Sequence, residues 1–351
     1  MSERFDFDLA IIGSGPAGAT LARLADSGMR TVIIDKKNPG PHGFQKPCGG
    51  LLAPDAQKAL SKYEITLPKE VLVDPQIFSV KTIDLSSGLI RHYQRCYINM
   101  DRHKFDMWLC SMIPPGVSRI EGLCRDVEAV DGGYRVTYSH GGTERHITAK
   151  YIAGADGANS IVRKRLFPHV ELRRYTAVQQ WFPCEDQTPF YSCIFDPDTS
   201  DCCSWSISKD GYFIFGGAFP GDNSRKRFEE QKRKLLSMGF PVASPVKTEA
   251  CLVLRPRSPF DFCTGRGGAF LIGEAAGFIS PSSLEGISYA MESADMLSSA
   301  LMTPDPAAAY RRKTLKLRIK LGLKVLKCPF MYHPFLRRLV MKSGIQSIKV
   351  K

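Results

Sequence analysis

After Asp305 the sequence has no acidic residue. Residues 306–351 carry 13 Lys or Arg, and the rest of the chain holds 35 basic and 35 acidic residues, which cancel. The net charge of +13 is therefore a property of the tail alone. That excludes a basic body of the kind that tracks a nucleic-acid backbone. No apolar run reaches the roughly 18 residues of a membrane-spanning helix. The start, MSERFDFDLAIIGSG, lacks the basic-then-apolar layout of a signal peptide. The expected location is cytoplasmic, with the tail offering attachment at the inner face of the membrane. None of the 11 cysteines forms a C-x-x-C pair, and the number is odd. A disulfide framework and a zinc site are both disfavoured, and no metal is expected. Internal repeats and low-complexity linkers are also missing.

What is present is a set of strands that run into glycines. FDLAII (7–12) is a compact apolar run of the buried parallel type, ATLARLADSG (19–28) has helical spacing and TVIIDKK (31–37) is a second strand. Residues 77–98 read as two strands around Ser86-Ser87-Gly88. Asp101 caps a helix over 102–113, and alternation over 123–152 predicts a β-meander. Residues 176–255 are rich in strand formers. AFLIGEAAG (269–277) is again a strand entering glycine, before a helix near 286–301. This interleaving predicts a discontinuous cofactor domain (1–75, 99–175 and 256–305), a sheet domain set into it (76–98 and 176–255) and a basic tail (306–351).

Three motifs point to one cofactor. In GSGPAG, Gly13 permits a tight turn, Gly15 lets a pyrophosphate approach the backbone, and Gly18 lets the helix pack on the strand. Phosphates then face a helix N-terminus. Asp35 lies at the end of the second strand, where a carboxylate accepts from ribose hydroxyls and repels a 2′-phosphate. FAD or NAD therefore fits better than NADP. The second motif, GADGANSIVR (154–163), puts Asp156 and Gly157 after a strand. The third, FLIGEAAGFISPSSLEGISYAMESA (270–294), contains Gly273-Glu274 and the helix start at Gly286 and Ile287.

In this order the motifs resemble the FAD-dependent family of aromatic hydroxylases, flavin-dependent halogenases and geranylgeranyl reductases. An Arg-x-x-Phe-Asp pattern, Arg102-His-Lys-Phe105-Asp106, resembles that of the reductases, and the likeness along the whole chain is to their CbrA-type members. The resemblance implies an α/β fold: a Rossmann-like FAD-binding domain like that of p-hydroxybenzoate hydroxylase, an inserted, mostly antiparallel substrate sheet and a helical tail. It implies a cofactor set of Gly13, Gly15, Ala17, Gly18, Asp35, Lys36, Cys48, Gly49, Arg102, Asp156, Gly157, Glu274, Gly277, Gly286 and Ile287. Free amides at Gly286 and Ile287 would stabilise the negative charge of reduced flavin. The family's usual Gly-Asp is Gly-Glu here, which adds a methylene to the carboxylate that reaches the ribityl chain.

The aromatics of 176–255 suit a long apolar substrate, with Trp205, Phe213 and Phe215 as candidates for contact. The reductases' Tyr-x-Trp-x-Phe appears as Cys203-Ser-Trp205-Ser-Ile207, which keeps only the tryptophan. In GFQKPCGGLL (43–52), Cys48 sits in the loop that reaches the flavin ring in this family. Its thiol either donates a proton, as the candidate catalytic residue, or packs. The expected activity is reduction of C=C bonds in a prenyl or similar lipid by hydride from reduced FAD, with NAD(P)H as electron donor. A monooxygenase of the same fold and a non-enzymatic, membrane-associated flavoprotein are the alternatives. Over 311–332, Lys313, Lys316, Lys320, Lys324 and Lys327 share a helical face, with Leu315, Ile319, Val325 and Leu326 opposite. Residues 315–321 also alternate as a strand would, while the family resemblance implies helix. As a helix the segment is a candidate for an anionic membrane surface.

Overall fold

The computed structural model describes residues 5–25, 27–36 and 45–350. Lys37, the last residue of the expected second strand, and Gly43 and Phe44, which precede the Cys48 loop, lie outside them. Phe7–Ile12 is the central strand of the first sheet, with Thr31–Asp35 parallel on one side and Thr143–Gly154 parallel on the other. Ser118–Glu121 and Ala269–Leu271 extend the parallel core at its two ends. Leu9, Ala10, Ile11 and Ile12 are all buried, as a strand covered on both faces requires. The expected meander is present as Leu123–Val130, Gly133–His140 and Thr143–Gly154. Its last strand enters the parallel core and ends at Gly154, which brings the Asp156-Gly157 motif beside the first glycine turn.

Helices Pro16–Leu24, Arg102–Ser111 and Ile287–Leu301 cover one face of this sheet. Leu9, Ile11, Phe105, Ala290 and Met291 form the core between them. The other face is closed partly by the tail, whose helix Leu315–Tyr332 buries Leu317, Leu321 and Val325 against a core containing Ala10, Ile12 and Val32. The strand-like alternation of 315–321 thus gives way to a helix with one buried stripe. Val325, expected on an outer apolar face, belongs to that stripe.

The second sheet runs in the order Lys247–Leu254, Arg174–Pro183, Tyr212–Pro220, Ser204–Lys209, Phe190–Phe195, Ile77–Asp84, Leu89–Asn99 and Ser347–Ile348. All its pairs are antiparallel except Phe190–Phe195 with Ile77–Asp84. Leu51–Leu52 joins it through Asn99 and Ile98. The helices Pro54–Lys62 and Ser224–Ser237 have no counterpart in the sequence reading. Pro54–Lys62 follows the cysteine loop directly, with Pro54 in its first turn, where a missing N–H costs nothing. Ser224–Ser237 is strongly polar and buries only Phe228, Gln231 and Leu235, so its apolar stripe is too thin to stand out among strands. The tail is three helices, Pro306–Lys313, Leu315–Tyr332 and Pro334–Ser343, followed by the short strand that adds to the second sheet.

Candidate flavin site

The glycine turn has the geometry that a dinucleotide needs. Gly13 has φ +99°, and a Cβ at Gly18 would lie 1.8 Å from the Gly13 carbonyl oxygen, so the turn closes only with glycine at both positions. Gly15 is different: among the described residues no atom lies within 4 Å of where its Cβ would be. Space therefore remains directly over the start of Pro16–Leu24, a helix that Gly15 leaves without a side-chain cap. Ala17 is buried behind this turn. Asp35 accepts hydrogen bonds from the Ser14 amide and, at 2.8 Å, from the Ser14 hydroxyl, so its carboxylate is held at the rim of the turn, with Lys36 exposed beside it.

The other two motifs meet the first. Asp156 Oδ2 accepts from the Ile161 amide at 2.7 Å, while its buried Oδ1 has no hydrogen-bond partner among the described residues. Burial pushes this carboxyl up, against the hydrogen bonds from Ser160 and Ile161. A buried acceptor left open is an expected mark of a site completed by a ligand. A Cβ on Gly157 would meet only Glu274 Oε2, 3.7 Å away. Arg163 locks the two motifs together by donating to the Ala275 and Ala158 carbonyls at 2.7 and 2.6 Å. Gly277 turns the chain after Glu274 with φ +83°. Gly286 is the N-cap of Ile287–Leu301, and no acidic residue occupies that helix's first turn, so its positive end is free to receive an anion.

Glu274 is held by two protein partners. Its Oε1 accepts from the Leu254 amide at 2.9 Å and its Oε2 from Lys46 Nζ at 2.7 Å. Burial opposes charge on Lys46, but Glu274 holds its ammonium above the ordinary range. Lys46 is a site residue that motif reading missed. The signal was its place two residues before Cys48 in KPCGG.

The Cys48 loop spans the seam between the sheets. Gly49 lies against Ile207 and Trp205, which would be 3.0 and 3.6 Å from a Cβ there. The Cys48 sulfur accepts from the Gly50 amide at 3.4 Å. Arg102 pairs with Asp106 at 2.9 Å, and although burial works against its charge, Asp106 and Cys48 hold the guanidinium well above its usual range. On the sheet side Lys209, buried, donates to the Gly50 and Met100 carbonyls at 3.2 and 2.6 Å. Burial pushes its ammonium down to about 8, with Cys48 among the groups acting the other way. Lys209 was invisible in sequence because a strand-end lysine is normally solvated. Cys251, far from Cys48 in sequence, donates to the Pro47 carbonyl at 3.7 Å.

Of the three substrate candidates, one faces this seam. The Trp205 indole covers Gly216, whose Cβ would lie 2.5 Å from Trp205 Cε2, and Trp205 Nε1 is buried without a partner among the described residues. Phe213 and Phe215 are on the opposite face. Phe215 stacks on Phe228 at 5.0 Å, and Phe213 packs on Phe240 at 6.0 Å, beneath the helix Ser224–Ser237. Strand alternation sends residues 213 and 215 away from Gly216, and the unforeseen helix gives them their core. The seam face carries instead Ile207, Tyr97 and Tyr191, with Gln179 level with Gly216 in the next strand.

These features fit FAD: a phosphate space over Gly15, an open acceptor on Asp156 and an uncapped helix start at Ile287. A family model described as an FAD binding domain matches residues 117–306. Protein CbrA of Escherichia coli is 52% identical over 346 residues, covering 97% of this chain and 94% of that protein. A geranylgeranyl bacteriochlorophyll reductase-like protein from Thermoplasma acidophilum superposes with a TM-score of 0.78 at 16% identity, over 96% of this chain and 90% of that one. PqsL of Pseudomonas aeruginosa, described as a "probable FAD-dependent monooxygenase", gives 0.71 at 16% identity, over 97% and 99%. At such identities the two structures establish the α/β flavoprotein fold.

Proposed function

The chain belongs to the CbrA family of FAD-binding proteins, and on that premise we propose that it reduces C=C bonds of a prenyl or similar lipid. The observation that carries this reading is the position of Cys48. Its loop is pressed against Trp205 and Ile207 at the seam of the two sheets, with Arg102 on one side and Lys209 on the other.

Gly13, Gly15, Gly18, Asp35, Asp156, Glu274, Gly286 and Ile287 would hold the cofactor. When bound and reduced by NAD(P)H, FAD supplies a hydride. Saturating the bond needs a proton on the second carbon as well, and Cys48 would give it. Arg102 and Lys209 then hold the thiolate left behind, and Lys209 returns a proton to it. Trp205, Tyr97, Tyr191 and Ile207 form an aromatic and aliphatic wall that keeps water from the reacting carbons.

The test is a single turnover. The protein, loaded with FAD and reduced with dithionite under argon, is mixed with a polyprenol such as geranylgeraniol. Return of the yellow colour together with a product two mass units heavier supports the reading. Colour that never returns across a series of prenyl chain lengths rejects it. In a parallel run in air with NAD(P)H, oxygen consumption yielding an oxygenated product would assign the chain to the monooxygenases instead.

A further inference from the structure

We propose that the tail helix Leu315–Tyr332 is a docking face for an anionic lipid bilayer. The inference is independent of the flavin chemistry. Successive helical residues turn by about 100°, so the helix divides into sectors. Leu317, Leu321 and Val325 fill the inner sector. Leu315, Ile319, Leu323, Leu326 and Phe330 form one continuous outer stripe, and each is about half exposed or more. Large aliphatic side chains repeated at spacings of three and four on a solvent face are not ordinary scatter.

The two edges of the stripe are built differently. On one edge stand Lys316, Lys320, Lys324 and Lys327, which with Ile319 and Leu323 line a shallow groove. The lysines therefore flank the apolar stripe rather than opposing it, the arrangement in which long cationic side chains reach headgroups while neighbouring apolar groups enter the acyl boundary. On the other edge lies Gly322, against which Pro259 packs; a Cβ at Gly322 would be 3.2 Å from Pro259 Cβ. The next residue, Phe260, is 93% exposed. A second element of the fold thus places an aromatic ring in water beside the same stripe.

Charge selects the occupant. Residues 306–351 contain 13 basic residues and no acid. Two copies of this chain meeting through the stripe would set like charge on like charge. An anionic leaflet offers phosphates to the lysines and hydrocarbon to the stripe at once.

Co-sedimentation of the full FAD-loaded chain with vesicles tests this. One set is phosphatidylcholine alone, and the other contains a quarter phosphatidylglycerol. The chain should pellet with the anionic vesicles and far less with the neutral ones. Leu323→Glu with Leu326→Glu should abolish binding, and Lys316→Glu with Lys327→Glu should weaken it at least about tenfold. Lys320 and Lys324 are spared because they also bind Asp55 and the Tyr289 hydroxyl. All four substituted side chains are exposed, so circular dichroism and flavin content should stay as in the parent chain. A parent chain that remains in the supernatant would overturn the proposal. So would a double glutamate variant that pellets normally, or light scattering showing a dimer that this variant dissolves.

Discussion

Lys46 Nζ lies 2.7 Å from Glu274 Oε2, joining the cysteine loop to the Gly273–Ala276 turn. One carboxylate thereby serves both Lys46 and the Leu254 amide. Removing one partner leaves the other charge partly buried and uncompensated. Lys46→Met should lower stability by about 1–3 kcal/mol, less than a fully buried pair because the lysine keeps some exposure. Lys46→Met combined with Glu274→Leu should recover part of that loss. A thermal-unfolding double-mutant cycle reads the coupling, and strict additivity would mean the pair does not interact.

Gly15 and Gly18 should separate cofactor binding from folding. A side chain at Gly15 enters open space, whereas one at Gly18 collides with the Gly13 carbonyl. Gly15→Val should therefore fold with nearly the parent melting temperature yet retain at least about tenfold less FAD, a loss of about 1.4 kcal/mol. Gly18→Ala should lose both, because the turn itself cannot close. Absorbance near 450 nm per mole of purified protein, read with the melting temperature, distinguishes the two. A yellow Gly15→Val protein would place the phosphates elsewhere.

The contrast between those two glycines shows what a sequence discloses. The glycine turn, Asp35 and the Asp156-Gly157 pair were legible because local chain geometry demands those residue types at fixed spacing. Lys209 and Cys251 were not, since only long-range packing brings them to the Cys48 loop, and the role of Lys46 was not, since its partner Glu274 lies 228 residues away. Phe213 and Phe215 were misplaced for a related reason. Alternation says that neighbours on a strand face opposite ways, but not which face meets the cofactor. That was decided by Ser224–Ser237, whose thin apolar stripe of Phe228, Gln231 and Leu235 gave no clear helical signal.

Phe215 and Trp205 should accordingly fail in different ways. Phe215→Ala removes a ring that is fully buried against Phe228 and should cost about 3–5 kcal/mol of stability. In the folded fraction, substrate KM should hold. Trp205→Phe keeps most of the apolar wall and removes a donor that has no partner among the described residues. It should leave the melting temperature within a few degrees, a shift of about 1 kcal/mol or less, and raise KM. The opposite pattern would put the substrate beneath the helix.

Arg337 ties the tail to the second sheet through Asp84, at 2.9 Å, with both side chains buried. Burial alone would push the Asp84 carboxyl up, but Arg337, Ser87 and Ser86 hold it below the usual carboxylate range. A depressed carboxyl contributes stability that is present above its unfolded pKa of about 3.9 and is lost as pH falls through the lower folded value. Protease cleavage within 334–350 should therefore stay slow at pH 5 and accelerate only below about pH 4. Arg337→Ala should make it fast at neutral pH, since breaking a buried pair costs about 3–5 kcal/mol. Equal cleavage of both chains at pH 7 would show that the pair does not anchor the tail.

Lys209 supplies the sharpest pH signature, because burial brings its ammonium down to about 8 from an ordinary 10.5. Below about pH 8 the group is charged in both folded and unfolded chains, and the folded state bears the full desolvation cost. Between that value and 10.5 the folded chain sheds the proton first, so this residue's contribution to stability becomes more favourable as pH rises. Catalysis should move the other way. If the ammonium returns the proton to Cys48, multiple-turnover rates under excess dithionite fall as it deprotonates above about pH 8. Lys209→Arg keeps the charge but cannot give up a proton, so it should be slow and without the limb near pH 8. Lys209→Met should be slow and nearly flat in pH, and its stability relative to the parent should decline as pH goes from 8 to 10. Cys48→Ser should be slower throughout while keeping the limb near pH 8, which separates the lysine from the thiol. A limb that disappears with Cys48 and ignores Lys209→Arg would assign the titration to the thiol and remove Lys209 from the proton path.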